Sequence, residues 1–559
     1  MTCSVRRSEV ALLALPVLLP LTGLIAQRPS SMAGRSVVYA PQGMVATSQP
    51  LASAAGLEVL RTGGNAIDAA VAAAAVLSVT EPHMTGIGGD MFAIVWLAKE
   101  HRLVALNASG RAGALMTRET LLARGFQSGL QQGAMSVTVP GALAGWDKLV
   151  RTYGKRTLAA ALQPAIGYAR DGFPVTPIIA SQWDAETALL QKDSSATATF
   201  LPNGRAPKAG EWFRNPDYAR TLTAIATGGV ATFYGGAIGQ RIVSRLGALN
   251  GFVTLDDMRK NVPTWVTPIS VSFQGYRVWE LPPNNQGVAA LEMLRILEPY
   301  DLKAMGHNSA AYLHHLIEAK KLAYADLERF VGDAAHLDMP AERMLTDAFI
   351  AERRSHLDAS RAQSRVDPGP LRTASETIYL STADAEGNMV SLINSNYDAF
   401  GSGIVVPGLG FVLHNRGAGF TLTEGLPNTV APGKRPFHTL IPGFVTRTEN
   451  GAEQAYMSFG LMGGGMQAQG HAQFLINHLV FGMDVQEAID VPRFRHLDGQ
   501  RVAIEAPVGD SVRATLTAMG HVLVPDRPVS FGGAQAIVRL VKGYGAGSDP
   551  RKDGMAVGY

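Results

Sequence analysis

The stretch Ser375-Glu376-Thr377-Ile-Tyr-Leu-Ser-Thr-Ala383 marks the sharpest change of composition in this chain of 559 residues. Residues 353–376 lead up to the change and contain five arginines, two prolines and several small polar residues, without apolar periodicity. We expect a mobile linker there. Strand signals dominate from Thr377 onwards, so the linker is expected to run directly into a β-rich block.

Thr377 stands at the first position of that block. If the chain were cut before Thr377, the residue would offer a hydroxyl nucleophile together with its own α-amine as the base, which is the arrangement of N-terminal threonine catalysts. From the residues alone, the simpler interpretation that Thr377 is an ordinary strand residue stays open.

Composition excludes several other classes of protein. The formal net charge is +3, apolar residues make up 47% and charged residues 17% of the chain, which indicates a compact globule. No cluster of Lys and Arg with aromatic residues is present, so nucleic acid is not an expected partner. The single cysteine, Cys3, allows no internal disulfide and no thiolate metal cluster. Walker, G-x-S-x-G and H-E-x-x-H motifs are absent.

The first 31 residues are treated separately. Arg6 and Arg7 precede an apolar run at 10–26 that two prolines interrupt. This pattern fits a secretory signal peptide, and export would place the protein in the periplasm or outside the cell. In the alternative, translation starts at Met32 and the protein is cytoplasmic. No later segment approaches 18 unbroken apolar residues, so no membrane span is expected after processing.

Helix signals precede the linker. Asn65 fits an N-cap and Asp68 lies at the positive end of the helix dipole in a helix predicted over 65–79. Further helices are predicted over 140–153 and 311–329, the latter amphipathic. Its charged residues are expected on a solvated face: Lys320, Lys321, Asp326 and Glu328.

Strand patterns occur on both sides of the linker. Residues 266–273 and 276–281 flank Gln274-Gly275 and predict a hairpin. After the linker, strands are predicted at 377–383, 389–394, 403–406 and 410–413.

Many short blocks of the chain resemble one known family. Residues 42–559 are similar to the γ-glutamyltranspeptidase (glutathione hydrolase) family, with features closest to a hydrolase-leaning branch that contains oxamate amidohydrolase-like members. The blocks that carry the resemblance are Gly63-Gly64-Asn65-Ala-Ile-Asp68-Ala-Ala-Val71, Gly88-Gly89, Val139-Pro-Gly141, Gln163-Pro-Ala165, Ala169-Arg-Asp-Gly-Phe173, Pro282-Pro-Asn-Asn-Gln-Gly287, Tyr324-Ala-Asp326, Gly387-Asn388, Phe400-Gly-Ser-Gly403, Lys434-Arg-Pro436, Ser548-Asp-Pro-Arg551 and Gly558-Tyr559.

The resemblance implies an α+β fold, the four-layer αββα sandwich of N-terminal nucleophile hydrolases. It implies self-cleavage between Glu376 and Thr377 into a large subunit, 32–376, and a small subunit, 377–559, which stay intertwined. Thr377 would be the nucleophile that forms an acyl-enzyme. Ser395 matches a threonine that hydrogen-bonds this nucleophile, and Gly463 and Gly464 match the pair whose N–H groups form the oxyanion hole.

The expected substrate site departs from the family pattern. Arg111 matches the arginine that holds the α-carboxylate of a glutamyl group. The α-amino end is altered, because Arg416 stands where a glutamine is usual and Gly419 where an aspartate pairs the ammonium. Tyr397 replaces Asn or Glu, and His438-Thr439 replace a serine pair. Residues 420–434 are shorter than in members with a long lid, which predicts an open mouth.

Two acyl donors follow as hypotheses. The first is a γ-glutamyl group from a glutathione-like donor, hydrolysed or transferred. The second is a carboxylate-bearing acyl group without an α-ammonium, such as oxamate or a glutaryl amide, since a cation at 416 and no acid at 419 disfavour a bound ammonium. The second hypothesis fails if Arg416 turns away to pair with a surface acid, in which case hydrolysis of γ-glutamyl groups persists.

Interpretations from other classes are an inactive relative that only binds, and a metal-dependent enzyme. The retained site residues argue against the first. The second would need a ligand cluster, and His314 and His315, within the predicted helix, are interpreted as structural or exposed. We expect no cofactor and no metal, a small-molecule amide as substrate, and the two subunits as each other's partners. Homo-oligomerisation stays open.

Overall fold

The computed structural model describes residues 34–127, 129–364, 366 and 376–559. The expected signal peptide, 1–31, and most of the later part of the expected linker, 367–375, lie outside these residues. Within them, the strands are β1 (Val38–Ala40), β2 (Met44–Thr47), β3 (Asp90–Leu97), β4 (Arg102–Ala108), β5 (Phe173–Pro174), β6 (Trp212–Phe213), β7 (Thr264–Val266), β8 (Ile269–Phe273), β9 (Tyr276–Glu280), β10 (Glu376–Ala383), β11 (Met389–Tyr397), β12 (Gly443–Glu449), β13 (Ala452–Met462), β14 (Phe494–His496), β15 (Arg501–Ile504), β16 (Val522–Leu523), β17 (Gly533–Arg539), β18 (Tyr544–Ser548) and β19 (Met555–Gly558).

The helices surround these strands. They are α1 (Pro50–Arg61), α2 (Ala66–Thr80), α3 (Arg118–Ala123), α4 (Ala142–Tyr153), α5 (Leu158–Asp171), α6 (Pro177–Ala185), α7 (Thr187–Leu190), α8 (Ser194–Phe200), α9 (Pro216–Gly228), α10 (Ala231–Tyr234), α11 (Ala237–Ala248), α12 (Leu255–Arg259), α13 (Gly287–Leu297), α14 (Leu302–Met305), α15 (Ala310–Phe330), α16 (Asp347–Ser355), α17 (Met466–Leu479), α18 (Val485–Asp490) and α19 (Asp510–Ala518). No single described helix has the length and apolar composition of a membrane span, although α9 taken together with Ala231–Ala248, which it meets at 113°, reaches both.

Two seven-stranded sheets form the centre of the molecule. The first has the order β1-β18-β17-β13-β12-β9-β8 and the second the order β19-β2-β10-β11-β3-β4-β7. In the second sheet, β10 and β11 pair antiparallel with each other and lie between β2 and β3. Strands from before and after the linker are therefore neighbours in the same sheet.

The faces of β11 show how the layers stack. Val390 and Leu392 belong to a core shared with α1, α2, α4 and α5, whereas Met389 and Ile393 belong to the core between the two sheets. This alternation follows from the two-residue period of a strand. A third core joins the other face of the first sheet to α13, α15 and α17. The layers are helix, sheet, sheet and helix, which confirms the expected α+β sandwich of αββα type.

α2 forms where the sequence predicts it. The Asn65 side chain accepts the backbone N–H groups of Ile67 and Asp68, and the Asp68 carboxylate accepts the Asn65 N–H in return. This capping box satisfies donors that the first helical turn leaves open. Every residue of α2 is buried, because its small side chains allow close packing against the second sheet and α5.

Two strand predictions need correction. The stretch 266–273 is two strands in different sheets, since β7 pairs with β4 and β8 pairs with β9. Pro268 separates them, having no N–H to donate to a ladder. The strands expected at 403–406 and 410–413 are reduced to one isolated bridge, between Val405 and Val412. Nearby carbonyls bond to α9 instead: Leu409 O accepts Thr221 Oγ1.

The expected solvated face of α15 is also wrong. Lys320, Lys321 and Asp326 are 4–5% exposed, and only Glu328 is half-buried. Each buried charge has a partner from another element. The Lys320 ammonium donates to His496 Nδ1 over 2.8 Å, and Asp326 pairs with Arg353 of α16 over 2.7 Å. Partners so distant along the chain leave no local signal.

The beginning of the expected linker is ordered. Residues 353–355 end α16, and residues 356–364 lie against the protein, where Ala362 N–H donates to the carbonyl of Met519. Gln363 is held on both sides, its N–H donating to Glu318 and its carbonyl accepting Lys321 Nζ. The expectation of mobility therefore fails for this first part.

Candidate active site

Thr377 lies at an irregular point of β10. The pairing of β10 with β11 shifts register between Glu376 and Ile378, and such a bulge takes a side chain out of the regular alternation of a strand. Thr377 is 1% exposed. Its Oγ1 donates a hydrogen bond to Oγ of Ser395 over 3.2 Å. The hydroxyls of Thr377 and Ser395 thus lie in contact, as the family resemblance implies.

Ser395 and Tyr397 end β11. Ser395 Oγ accepts the backbone N–H of Tyr397 over 2.7 Å. Tyr397 has φ +80°, a backbone conformation that is strained for a bulky residue and that persists where function requires it. This turn of the chain places the Tyr397 ring beneath the guanidinium of Arg416, whose carbon lies 4.2 Å from the ring centroid.

Arg416 points into this site. It is fully buried in the short 3₁₀ turn Arg416–Gly419. Its Nη1 donates to Thr439 Oγ1 over 3.3 Å and its Nη2 to Ser395 Oγ over 3.4 Å. Both acceptors are neutral, Nε has no hydrogen-bond partner, and no acid of the described residues forms an ion pair with this side chain. Burial lowers the pKa of Arg416 to about 10, so the guanidinium stays charged at neutral pH.

Asp90 is a site residue that the sequence reasoning missed. It begins β3 directly opposite Ser395 and is fully buried. Its Oδ1 accepts the backbone N–H groups of Gly110 over 2.9 Å and Gly141 over 3.1 Å. The available signal was a carboxylate at the head of the apolar run 91–97, since an acid is almost never fully buried without partners.

Two buried histidines face the other oxygen of Asp90. His438 Nε2 lies 3.2 Å and His414 Nδ1 lies 3.5 Å from Oδ2. Because Leu440 N–H donates to His438 Nδ1, the proton of the neutral ring is at Nε2. Burial and the cation of Arg416 lower the pKa of His438 to about 3. Burial alone would raise the pKa of Asp90, but its histidine neighbours hold that pKa well below the usual value.

Gly463 and Gly464 form the turn between β13 and α17. Their φ angles are +120° and +59°, which favour glycine. A Cβ at Gly463 would lie 3.1 Å from the Cα of Gly532. Neither N–H donates a hydrogen bond to any described residue. Two adjacent amides are therefore available to an external acceptor.

Arg111 stands apart from this cluster. Its side chain is 42% exposed, and Nη1 donates to Asp333 over 3.1 Å and to the Gly433 carbonyl over 2.9 Å. No hydrogen bond within the described chain joins Arg111 to the residues around Thr377. The preceding residue, Gly110, donates its N–H to Asp90, so Arg111 is linked to the cluster through the backbone and not through its side chain.

Gly419 has no room for a side chain. A Cβ there would lie 2.5 Å from the backbone oxygen of Phe437. Asn428 holds the two segments together, donating to the Gly419 carbonyl over 2.6 Å and accepting the Phe437 N–H over 2.8 Å. An aspartate at this position would require the backbone to move.

The open mouth stays a prediction for the cut protein, because the structure describes the uncut chain. Phe420 and Val430 of the short segment pack into an apolar cluster with Phe252. In the uncut chain, Thr377 is 1% and Thr439 is 3% exposed. The hydroxyls and the buried cation are shielded from bulk water.

One group of residues with metal-ligand chemistry lies elsewhere, which corrects the expectation that the chain has no such cluster. Ligand atoms of His314, Glu318 and His521 lie within 4.8 Å of one another. The two imidazoles hydrogen-bond each other over 2.8 Å, and the Lys321 ammonium pairs with the Glu318 carboxylate over 2.7 Å. His521 Nδ1 has no hydrogen-bond partner among the described residues, but a metal ion would have to displace the buried Lys321 ammonium from the Glu318 carboxylate.

Comparison with known proteins places this chain among enzymes. Residues 52–559 match the model of the γ-glutamyltranspeptidase family. The glutathione hydrolase-like YwrD proenzyme of Bacillus subtilis is 37% identical over 543 residues, covering 94% of this chain and 99% of that protein. The oxamate amidohydrolase proenzyme of Klebsiella pneumoniae is 34% identical over 531 residues, covering 92% and 98%.

A solved structure, the cephalosporin acylase from Bacillus halodurans, matches with a TM-score of 0.89 and 40% identity, covering 96% of this chain and 99% of that one. The relatives are named as proenzymes, which implies a precursor that is cut into a large and a small subunit. Their names differ in the substrate, so they leave the acyl donor undecided. The expected family is confirmed: this chain is a hydrolase of the γ-glutamyltranspeptidase family, within the N-terminal nucleophile hydrolases.

Proposed function

We propose that this chain hydrolyses amides of a small acyl group that bears a carboxylate but no α-ammonium, such as an oxamyl or glutaryl group. Arg416 carries this assignment, because among the described residues its buried guanidinium donates hydrogen bonds to neutral hydroxyls, while the carboxylates of Asp90 and Asp398 act on it without an ion pair. It adjoins Thr377 through Ser395. A guanidinium binds a carboxylate in bidentate fashion and repels an ammonium. A relative named oxamate amidohydrolase supports the same substrate class, because oxamate carries a carboxylate and no α-ammonium.

The reaction begins with maturation of the precursor. Thr377 Oγ1 attacks the carbonyl carbon of Glu376, the peptide nitrogen leaves and takes a proton, and the resulting ester is hydrolysed by water. The products are the large subunit with its new carboxylate at Glu376 and the small subunit with a free α-amine at Thr377. The bulge at Thr377 supports this step, since it removes the scissile peptide from a regular ladder.

Turnover uses the same hydroxyl. The α-amine of Thr377 takes the Oγ1 proton as Oγ1 attacks the amide carbonyl. The resulting α-ammonium gives this proton to the amide nitrogen, which leaves from the tetrahedral intermediate as a neutral amine. Water then hydrolyses the acyl-enzyme. The N–H groups of Gly463 and Gly464 bind the oxyanion, and one such donor contributes about 3–4 kcal/mol to transition-state stabilisation.

Hydrolysis of a γ-glutamyl group is the second candidate. Arg111 favours it, because this half-exposed cation matches the family arginine for a glutamyl carboxylate, and one relative is named glutathione hydrolase-like. This candidate requires an acceptor for the ammonium near Arg416, where the described site places a positive charge.

A paired rate assay tests the proposal. Glutaryl, oxamyl and γ-glutamyl nitroanilides are offered to purified, cleaved protein, with Thr377→Ala as the blank. We expect faster release from the glutaryl or the oxamyl donor than from the γ-glutamyl donor. A faster γ-glutamyl reaction, or no turnover of any of the three by cleaved protein, would overturn the assignment.

A further inference from the structure

Gln286 bridges two parts of the candidate site that lie at one end of the β12–β13 hairpin, the Thr439 segment before β12 and the Gly463-Gly464 turn after β13. It is 1% exposed and precedes α13. Its Nε2 donates to the carbonyl of Thr439 over 2.6 Å and to the carbonyl of Gly464 over 2.8 Å. Thr439 in turn accepts Arg416 Nη1. A single buried amide therefore spans the pocket of Arg416 and the glycine turn.

The glycine turn depends on such contacts because its own backbone is irregular. Two further side chains hold the next carbonyl, that of Gly465, through Tyr324 Oη at 2.6 Å and Gln469 Nε2 at 3.0 Å. Both act on the side of the turn that begins α17. Among these donors, Gln286 is the one that ties the turn to the acyl-binding side.

We propose that Gln286 is a positioning residue, which fixes the distance between the Arg416 pocket and the N–H groups of Gly463 and Gly464. This inference rests on the proposed roles of those residues. An acyl group held by Arg416 places its carbonyl at one point, and the oxyanion donors must meet it there within a few tenths of an ångström. Losing the bridge changes that alignment but leaves the contacts of Arg416 to the substrate in place.

Gln286→Met tests this role, because methionine keeps the length of the side chain and removes the two hydrogen bonds. We expect kcat to fall about 10- to 100-fold, with KM changed less than about threefold. Gln486→Met is the matched control. Gln486 is also 1% exposed and donates to Asp490 and to the Ser548 carbonyl, but it lies in α18, away from the site. If both variants lose kcat equally, or Gln286→Met keeps its kcat, the proposal is overturned.

Gln286→Glu gives a second readout that a purely structural role would not move. Ionised, the introduced carboxylate faces two carbonyl oxygens and donates nothing; protonated, it restores one hydrogen bond. Burial raises the pKa of such a group. We expect kcat of the variant relative to the wild type to rise as the pH is lowered, and a ratio independent of pH would contradict the positioning role.

These ratios are measured on whichever donor the wild type turns over fastest. A preference for the γ-glutamyl donor would overturn the proposed acyl class and still leave Gln286 testable. An unchanged kcat in Gln286→Met, with the wild type preferring glutaryl or oxamyl donors, would overturn the positioning role alone.

Discussion

Arg416 is the residue on which substrate choice is expected to depend. Its hydrogen bonds of 3.3 and 3.4 Å to hydroxyls are longer than the 2.7–2.9 Å or so of a charge-assisted contact with a carboxylate. Arg416→Gln removes the cation and keeps a polar side chain. Since a hydrogen bond to a charged group contributes about 1.5–3 kcal/mol, we expect kcat/KM for the glutaryl donor to fall about 10- to 150-fold.

Arg111→Gln is the matched control for this change. Its guanidinium is 42% exposed and already paired with the buried Asp333. We therefore expect kcat/KM for the glutaryl donor to fall less than about fivefold, because contacts of a solvated cation contribute about 0–1 kcal/mol. The steady-state rates of both variants decide between the two arginines. A larger loss in Arg111→Gln than in Arg416→Gln would move the acyl carboxylate to Arg111.

Gly419 gives a prediction about stability. A Cβ there meets the backbone oxygen of Phe437 at 2.5 Å, so Gly419→Ala should lower the free energy of unfolding by about 1–3 kcal/mol, as overpacking does. Gly247→Ala, in an exposed position of α11 with open space around the new Cβ, should raise it by about 0.5–1 kcal/mol. Urea unfolding of both variants measures the contrast, and equal effects would refute the crowding argument.

Family resemblance located part of the site better than local pattern could. Ser395, Tyr397, Arg416 and Thr439, all named from the sequence, lie together around Thr377. Asp90, His414 and Gln286 were missed. Each acts through partners far along the chain, such as Thr439 and Gly464 for Gln286, and only the folded backbone brings such partners within reach.

At the scale of elements, the sequence predicts features set by neighbouring residues well, but it does not predict which sheet a strand joins. The capping box of α2 involves residues three apart, so its signal is contained in the sequence around Asn65. The hairpin of β8 and β9 likewise follows from the turn at Gln274-Gly275. By contrast, the residues near Pro268 do not indicate that β7 and β8 belong to different sheets, because this depends on their pairing with β4 and β9.

α15 carries a prediction about pH. Burial lowers the pKa of Lys320 from its usual 10.5 to about 7 and raises that of Glu328 from 4.5 to about 7. Between pH 4.5 and 7 the folded chain keeps a proton at Glu328 that the unfolded chain has lost, so this group's stabilisation declines as pH rises. Between pH 7 and 10.5 the unfolded chain holds the proton that Lys320 has lost, so stability rises with pH.

Two variants separate these contributions. Glu328→Gln should flatten the decline of the urea midpoint between pH 4.5 and 7, and Lys320→Met should flatten the rise above pH 7. Lys192→Met, at an exposed position, is the control and should leave both slopes unchanged. Slopes unaltered by the first two changes would show that neither group titrates as described.

The whole molecule is held together by the interleaving of its two parts. In the second sheet, β11 and all of β10 except its first residue follow Glu376, and they lie between β2 and β3, which precede it. Both sheets contain strands from each part, and the core between the sheets draws on both as well. A cut between Glu376 and Thr377 therefore severs one peptide bond and leaves the sheets and cores intact.

This architecture predicts how the cut protein unfolds. Since neither part keeps its sheets alone, dissociation and unfolding should be one transition, and that transition releases two molecules from one. Mass action then makes the urea midpoint of cleaved protein rise with protein concentration. Thr377→Ala, which stays a single chain, should unfold at a midpoint independent of concentration. Separation of the two fragments on a sizing column below the unfolding transition, or a cleaved protein whose midpoint ignores concentration, would show that the parts fold independently despite the shared sheets.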